Sequence, residues 1–292
     1  MRNIYKYGRW YILGAFALVA GCVWSAVFLA QAHHGLLLLS ILDVGQGDAI
    51  FIDAPHGSQV LIDGGPNNAV LARLGEIMPF WDRSLDAVIL THPHADHLDG
   101  LIAVLDRYQV GVVIESGVNH SIAEYELWRR KVKERGIRRI VAVRGGIVHL
   151  GGGARLDILA PDRPYDAESV RNIHEAVVVL RVTFASSTAL LMADAEAPRE
   201  RELLASGIDI RSEVLKVGHH GSKTSTAEIF LRAVQPRLAA ISAGARNRYG
   251  HPTQEVLDRL AAAGVRIFRT DRDGTITFAS DGRAFVVQAG NP

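Results

Sequence analysis

The sequence predicts a four-layer αββα sandwich preceded by one transmembrane helix. Three observations lead there. Strand-length apolar runs fall into two groups, one in each half of the chain. Helical spacing of apolar residues is interleaved with both groups, so the expected arrangement is two sheets face to face with helices outside. Ahead of both groups, residues 10–30 carry no charge, a stretch long enough to cross a bilayer as a helix.

Arg2, Lys6 and Arg9 precede the apolar segment, and the next Lys or Arg is Arg73. The positive-inside bias therefore keeps residues 1–9 in the cytoplasm and exports the chain beyond the apolar segment. Residues 10–32 read as a single-pass anchor in the cytoplasmic membrane. Ala30-Gln31-Ala32 also matches a signal peptidase site, which would make the domain secreted. The apolar run exceeds the roughly 7–15 residues of a cleavable signal, and this favours the anchor. Cys22, the one cysteine, lies inside the segment. An exported domain without an intrachain disulfide has to rely on packing and bound metal.

Residues 36–292 then form one domain. Strands are expected at 36–42, 49–52 and 59–62, a meander punctuated by Gly, Asp and Pro. A helix comes next at 68–78, then a strand at 85–90, a helix from 98, a strand at 111–115 and a helix at 121–135. The second half gives strands at 148–150, 155–159, 176–184 and 189–192, a helix at 198–205, then strands at 213–217, 238–242 and 266–269 alternating with helices at 226–233 and 253–263. Asp281-Gly282 joins a closing hairpin of 276–279 and 284–288. The basic run from Arg129 to Arg139 reads as a solvated helix face. With a formal net charge of +1, three basic residues of which precede the domain, no general footprint for nucleic acid is present.

The chemistry concentrates in Thr91-His92-Pro93-His94-Ala95-Asp96-His97, where four metal-ligand side chains occupy six positions. Incidental histidines on a polar loop do not explain that density. Imidazole nitrogen and carboxylate oxygen suit Zn²⁺, Mn²⁺ or Fe²⁺. Spacings of two, two and one do not fit one helix face, so a loop at the carboxyl end of 85–90 must fold them inward, with Asp96 and His97 at or just before a helix start. Four donors are half of a two-metal site. Asp194, after the run Ala189 to Met192, is placed to bridge both ions, and His219 and His220 come after the run Val214 to Val217 in the same way. A helix cap for Asp194 and ordinary loop histidines are the bland alternatives.

These residues resemble the HxHxDH signature of the metallo-β-lactamase superfamily. More narrowly, Leu42 to Ala49, Leu61 to Gly65, Leu215 to Ser222 and Asn247 to Pro252 are similar to segments of the extracytoplasmic metallo-hydrolase domain of the ComEC competence-protein family. The resemblance implies the αββα fold of the metallo-β-lactamase type, with His92 and His94 on one metal, Asp96 and His97 on the other, and Asp194 between them. One of His219 and His220, with His220 preferred, completes the second site. His174 is the best-placed third histidine for the first, and Asn172 preserves part of the Asn-rich pattern found there in ComEC-like domains. Asp63 would orient the metal loop. Met192-Ala193-Asp194 departs from the common Thr-Gly-Asp pattern but keeps the carboxylate.

Together these readings predict a membrane-anchored extracytoplasmic hydrolase holding two divalent ions, Zn or Mn, in which a metal-bridging hydroxide attacks a phosphodiester. Asp96 is assigned a catalytic role. His251 is expected to stabilise charge or protonate a leaving oxygen, unless it only closes a turn. Gln46 and Asp48 line the pocket or stabilise a turn. Lys223, Arg246 and Arg248 are candidate phosphate contacts, unless simply solvated. Single-stranded DNA or another surface phosphodiester is the expected substrate. A complete ComEC carries many transmembrane helices and this chain shows one, so a transport role is not carried over; a separate channel-forming membrane protein is the expected partner. Two rivals remain: a lactam, lactone or thioester hydrolase of the same fold, and a non-catalytic nucleic-acid or partner-binding module of a DNA-uptake apparatus.

Overall fold

The structure, a computed structural model, describes residues 4–31 and 35–288. The chain divides after His34 into two compact units. The first is helix α1 (Ile4–Gln31), in which the 19 residues Tyr7–Ser25 are long and apolar enough to cross a membrane. Ala32, the last residue of the cleavage motif, lies outside the described residues.

The second unit opens with β1 (Leu37–Ile41), β2 (Ile50–Asp53) and β3 (Gln59–Ile62), the expected antiparallel meander. Next come α2 (Ala69–Ile77), β4 (Ser84–Leu90), α3 (Ala95–Arg107), β5 (Gln109–Glu115), α4 (Ala123–Glu134) and β6 (Arg138–Val141). The second half contains β7 (Ile147–Gly151), β8 (Ala154–Ala160), β9 (Val179–Phe184), β10 (Ser187–Leu191), α5 (Ala197–Ala205), β11 (Val214–Lys216), α6 (Glu228–Val234), β12 (Leu238–Ile241), α7 (Gln254–Ala262) and β13 (Arg266–Arg269). A short α8 (Thr270–Asp273) leads to the hairpin of β14 (Ile276–Ser280) and β15 (Phe285–Gln288).

Two sheets result, ordered β15-β14-β1-β2-β3-β4-β5-β6 and β13-β12-β11-β10-β9-β8-β7. Alternation along the strands divides the core into three apolar layers. Leu39 and Ile41 of β1 meet Leu180 and Val182 of β9 and Ala189 and Leu191 of β10 between the sheets. On the outer face of the first sheet, Val88 and Leu90 lie under Leu74 of α2, Leu101 of α3 and Trp128 of α4. Leu190 and Leu215 lie in turn under Leu203 of α5, Phe230 of α6 and Leu260 of α7. Three apolar layers require four structural layers, so the αββα sandwich holds.

The details differ from the sequence reading in three places. The closing hairpin belongs to the first sheet, where β14 pairs antiparallel with β1, so sheets and chain halves do not coincide. The basic run is not one helix face: Arg138 and Arg139 lie in β6, where Arg139 pairs with buried Glu115 and, at 2.8 Å, with Asp166. Residues 173–176 form a 3-10 turn, and β9 begins only at Val179.

Strands β3 to β6 run parallel, as do β10 to β13. Parallel strands present their carboxyl ends together, which is where open α/β sheets place their sites. The metal-ligand residues come directly after β4, β10 and β11 at those ends.

Candidate metal centre

Strand β4 ends at Leu90 and delivers Thr91, His92 and Pro93 as a loop beyond it. His94 takes an extended conformation as the N-cap of α3, so Asp96 and His97 lie in the first helical turn rather than before it. Asp63 fixes this corner: its carboxylate accepts from the Thr91 backbone N–H (2.8 Å) and hydroxyl (2.7 Å) and lies 2.7 Å from His97 Nδ1. Thr91 Oγ1 is also 3.1 Å from His92 Nδ1. The loop carrying Asp63 is stitched to α3 by Gly64 N–H to His97 O (2.7 Å) and Gly100 N–H to Gly65 O (3.0 Å).

Four non-glycine residues around the centre occupy the left-handed region: Asp63 (φ 57°), Ala193 (φ 45°), His219 (φ 47°) and His220 (φ 53°). Such conformations cost roughly 1–3 kcal/mol each and persist where surrounding contacts over-determine them. Here His219 N–H donates to Ala193 O at 2.8 Å, tying two of the strained segments together. The same φ explains the Thr-Gly-Asp pattern from which Ala193 departs: glycine adopts it freely, whereas alanine does so at a cost.

The folded loops converge on Asp194, which is almost fully buried. Its Oδ2 faces His92 Nε2 (3.7 Å), His219 Nε2 (3.8 Å) and His174 Nε2 (3.9 Å), and its Oδ1 faces His97 Nε2 and His220 Nε2 (3.4 Å each). His220 Nε2 is also 3.4 Å from Asp96 Oδ2. Two donor groups share this carboxylate, one of His92, His94, His174 and Asp194, the other of Asp96, His97, Asp194 and His220, each with its donor atoms within 4.8 Å of one another. His97 Nε2, His174 Nε2, His220 Nε2 and Asp194 Oδ1 are buried with no hydrogen-bond partner among the described residues. Gaps of this size suit an ion, since two tetrahedral ligands about 2.0–2.2 Å from zinc lie roughly 3.3–3.6 Å apart. The donor set therefore fits a metal pair.

The electrostatics differ across Asp194. Burial lowers His92 well below the usual imidazole range, lowers His94 to about 4, and lowers His174. On the other side burial opposes charge, yet Asp194, Asp63 and Asp96 push His97 well up, and Asp194 and Asp48 raise His220. Burial alone would raise Asp96, but His97 and the contact with His220 bring it down to about 2. Asp194 is likewise held well below the carboxylate range, with His220 and His97 outweighing its burial.

His219 lies outside both groups. Its Nδ1 is 3.1 Å from Glu196 Oε1, and Glu196 Oε2 is 3.7 Å from His174 Nδ1. Glu196 escaped the sequence reading; the one available signal was a second carboxylate two residues after Asp194. Lys216 was missed as well. It is fully buried, with its ammonium 3.0 Å from Asp48 Oδ1, so Asp48 forms a buried ion pair beside His220 Nδ1 (3.5 Å). Gln46 Oε1 accepts from Gly244 N–H at 3.1 Å. His251 is half-buried, its ring 5.7 Å from that of His219. Lys223 and Arg246 are exposed with no side-chain contact to the donor groups among the described residues, and exposed Arg248 lies over Tyr249.

Between His94 and Asn172 a polar cavity of about 420 Å³ is lined also by Asn119, His120, Ser121 and Arg171. A second, of about 370 Å³, opens beside His174, Glu196 and Arg199.

A four-layer sandwich with two His/Asp groups that could each hold a metal ion, sharing one aspartate at the carboxyl ends of its strands, defines the class of α/β protein to which the chain belongs. The chain belongs to the Metallo-beta-lactamase superfamily, which matches residues 42–245. The narrower resemblance also holds. ComE operon protein 3 of Bacillus subtilis is 35% identical over 258 residues, covering 82% of this chain and 32% of that protein. Competence protein ComA of Neisseria gonorrhoeae is 29% identical over 245 residues, with 82% and 32% covered. The chain thus spans about a third of the length of these relatives. Among solved structures, the metallo-beta-lactamase fold protein YhfI from Bacillus subtilis matches with a TM-score of 0.50 at 14% identity, covering 80% of this chain and 95% of that one, a likeness of fold alone.

Proposed function

We propose that the protein is a membrane-anchored, two-metal phosphodiesterase whose hydrolase domain faces the extracytoplasmic space. Its substrate is single-stranded DNA or another surface phosphodiester. The observation that carries the reading is the split of Asp194 between the two donor groups. His92, His94 and His174 would hold one ion, Asp96, His97 and His220 the other, with Asp194 shared. Zn or Mn bound there would supply activated water and neutralise charge developing on a phosphoryl group. The protein's own part is orientation: Asp63 fixes Thr91 and His97, the Ser242 carbonyl fixes His220 Nδ1 at 3.1 Å, and Glu196 faces His174 and His219. Polar cavities beside His174 and beside His94 suit a phosphodiester better than a lactam or thioester, which calls for an apolar slot. Kinship with competence proteins supports DNA as the polymer and a channel-forming membrane protein as partner. Arg2, Lys6 and Arg9, before the uncharged run that starts at Trp10, support the outward orientation of the domain.

The test is metal analysis of the purified full-length protein, with hydrolysis of bis(p-nitrophenyl) phosphate, a single-stranded oligonucleotide and a generic lactam measured with added Mn²⁺ or Zn²⁺. Two ions per chain and phosphodiester hydrolysis are expected, falling at least about 100-fold in Asp194→Asn, since partners of metal ligands alone carry about 10- to 100-fold. Lactam turnover without phosphodiester turnover would replace this reading with the acyl one, and absence of bound metal would end both.

A further inference from the structure

A ring column leads away from the metal centre to solvent. His251 packs 5.7 Å from His219, and Tyr249 stacks on His251 at 5.9 Å with an interplanar angle of 23°. Tyr249 is 54% exposed, so part of its ring reaches solvent beyond the contacts with His251 and Arg248. The Arg248 guanidinium lies 5.1 Å from the ring centroid and donates to the Tyr249 hydroxyl at 3.0 Å.

A single exposed tyrosine would mean nothing; this one is held rigidly. Asn247 Oδ1 accepts from the backbone N–H groups of Tyr249 (3.1 Å) and His251 (3.0 Å), while its Nδ2 donates to the carbonyls of Gly244 (2.9 Å) and His251 (2.6 Å). The loop is in turn locked to the segment bearing His220. Thr253 N–H donates to Gly221 O at 3.0 Å, and Gly221 sits so close to Pro252 that a Cβ would come within 2.6 Å of the proline ring. Tyr249 is thus fixed relative to the donor groups, two ring contacts from His219. A flat aromatic surface beside a cation is what sequence-tolerant binding of single strands uses: the base stacks and the cation meets the neighbouring phosphate.

We propose that Tyr249 is a stacking platform for a nucleobase near the reacting phosphate, with Arg248 meeting the phosphate beside it. The proposal rests on the phosphodiesterase reading for the presence of a nucleic-acid strand at the centre. It makes the substrate's base, and not its phosphate alone, part of what the site recognises. The test uses full-length protein in detergent with chelator, so that no strand is cleaved. Fluorescence anisotropy compares a labelled oligothymidylate with an abasic strand of equal length. Wild type should favour the base-bearing strand by roughly 5- to 150-fold, the range of one stacked base. Tyr249→Ala should abolish the preference and Tyr249→Phe keep it, with both variants unfolding at the wild-type temperature. A preference that survives in Tyr249→Ala, or is missing in wild type, overturns the platform. A tyrosine that only props His251 would instead lower turnover of the small ester and leave the base preference intact. Failure of wild type to hydrolyse any phosphodiester would count against the phosphodiesterase reading, and the binding comparison would still decide the platform.

Discussion

The five imidazoles of the two donor groups around Asp194 share one chemistry and experience opposite fields. Burial disfavours a proton on His92, His94 and His174, whereas the carboxylates around His97 and His220 favour one. A metal ion needs the neutral form, so the second group has more protons to give up than the first. A raised imidazole keeps its proton until the pH rises through its raised pKa, so acid competes with metal at His97 and His220. The lowered imidazoles compete only far into acid, near pH 4 for His94. Calorimetric titration with Zn²⁺ in buffers of different ionisation enthalpy should therefore show proton release for one equivalent and little for the other. Stoichiometry should fall from two toward one as the pH is lowered, the His97–His220 group losing its ion first. Equal release by both equivalents would contradict the assignment. The candidate donors His92, His94, Asp96 and His97 were legible because four such side chains in six positions stand out in the sequence. Glu196 and Lys216 were not, because a lone glutamate and a lysine inside an apolar run acquire meaning only from partners brought close by folding.

At the scale of elements, the centre depends on how closely α3 seats against the loop after β3. A Cβ on Gly100 would lie 1.9 Å from Gly64 O and 2.7 Å from Asn67 O, both backbone atoms next to the loop that positions Asp63. Gly100→Ala must lift α3, and with it Asp96 and His97. Denaturant unfolding should show a loss of about 1–3 kcal/mol, the usual range for overpacking, with weaker binding of one metal equivalent. Gly75→Ala in α2 is the control, since nothing lies within 4 Å of the added carbon and the site is exposed; it should gain about 0.4–1 kcal/mol. Unchanged stability in Gly100→Ala would mean that the seat is looser than its contacts imply. Elements with strong apolar periodicity were legible, and their edges less so. Helix α3 begins at Ala95 but shows helical spacing only from Leu98, because its first turn is made of ligands. Strand β6 hid behind Arg138 and Arg139, charged residues of the kind that protect a sheet edge, and β6 is an edge strand.

The whole domain is two sheets whose carboxyl ends converge on the His and Asp residues of the centre. Two β-rich stretches made the double sheet legible. The pairing of β14 with β1 was not, because it joins distant parts of the chain and no local pattern encodes it. The first sheet's loops supply His92, His94, Asp96 and His97, and the second supplies His174, Asp194 and His220, so each ion would tie one sheet to the other. The buried Lys216–Asp48 pair does the same without metal, linking β11 to the loop between β1 and β2. An ion held only by the folded arrangement stabilises it by mass action, about 2.7 kcal/mol when free metal is 100-fold above Kd. For a domain of this size that corresponds to a rise in Tm of roughly 5–11 °C. Thermal unfolding of the full-length protein should accordingly shift upward with Zn²⁺ or Mn²⁺ and return with chelator. Asp194→Asn should lose most of the metal-dependent increment, because it weakens the one carboxylate that both donor groups share. If wild type binds two ions yet unfolds at the same temperature with and without them, the ions do not bridge the sheets, and the donor groups must persist in the unfolded chain or lie elsewhere.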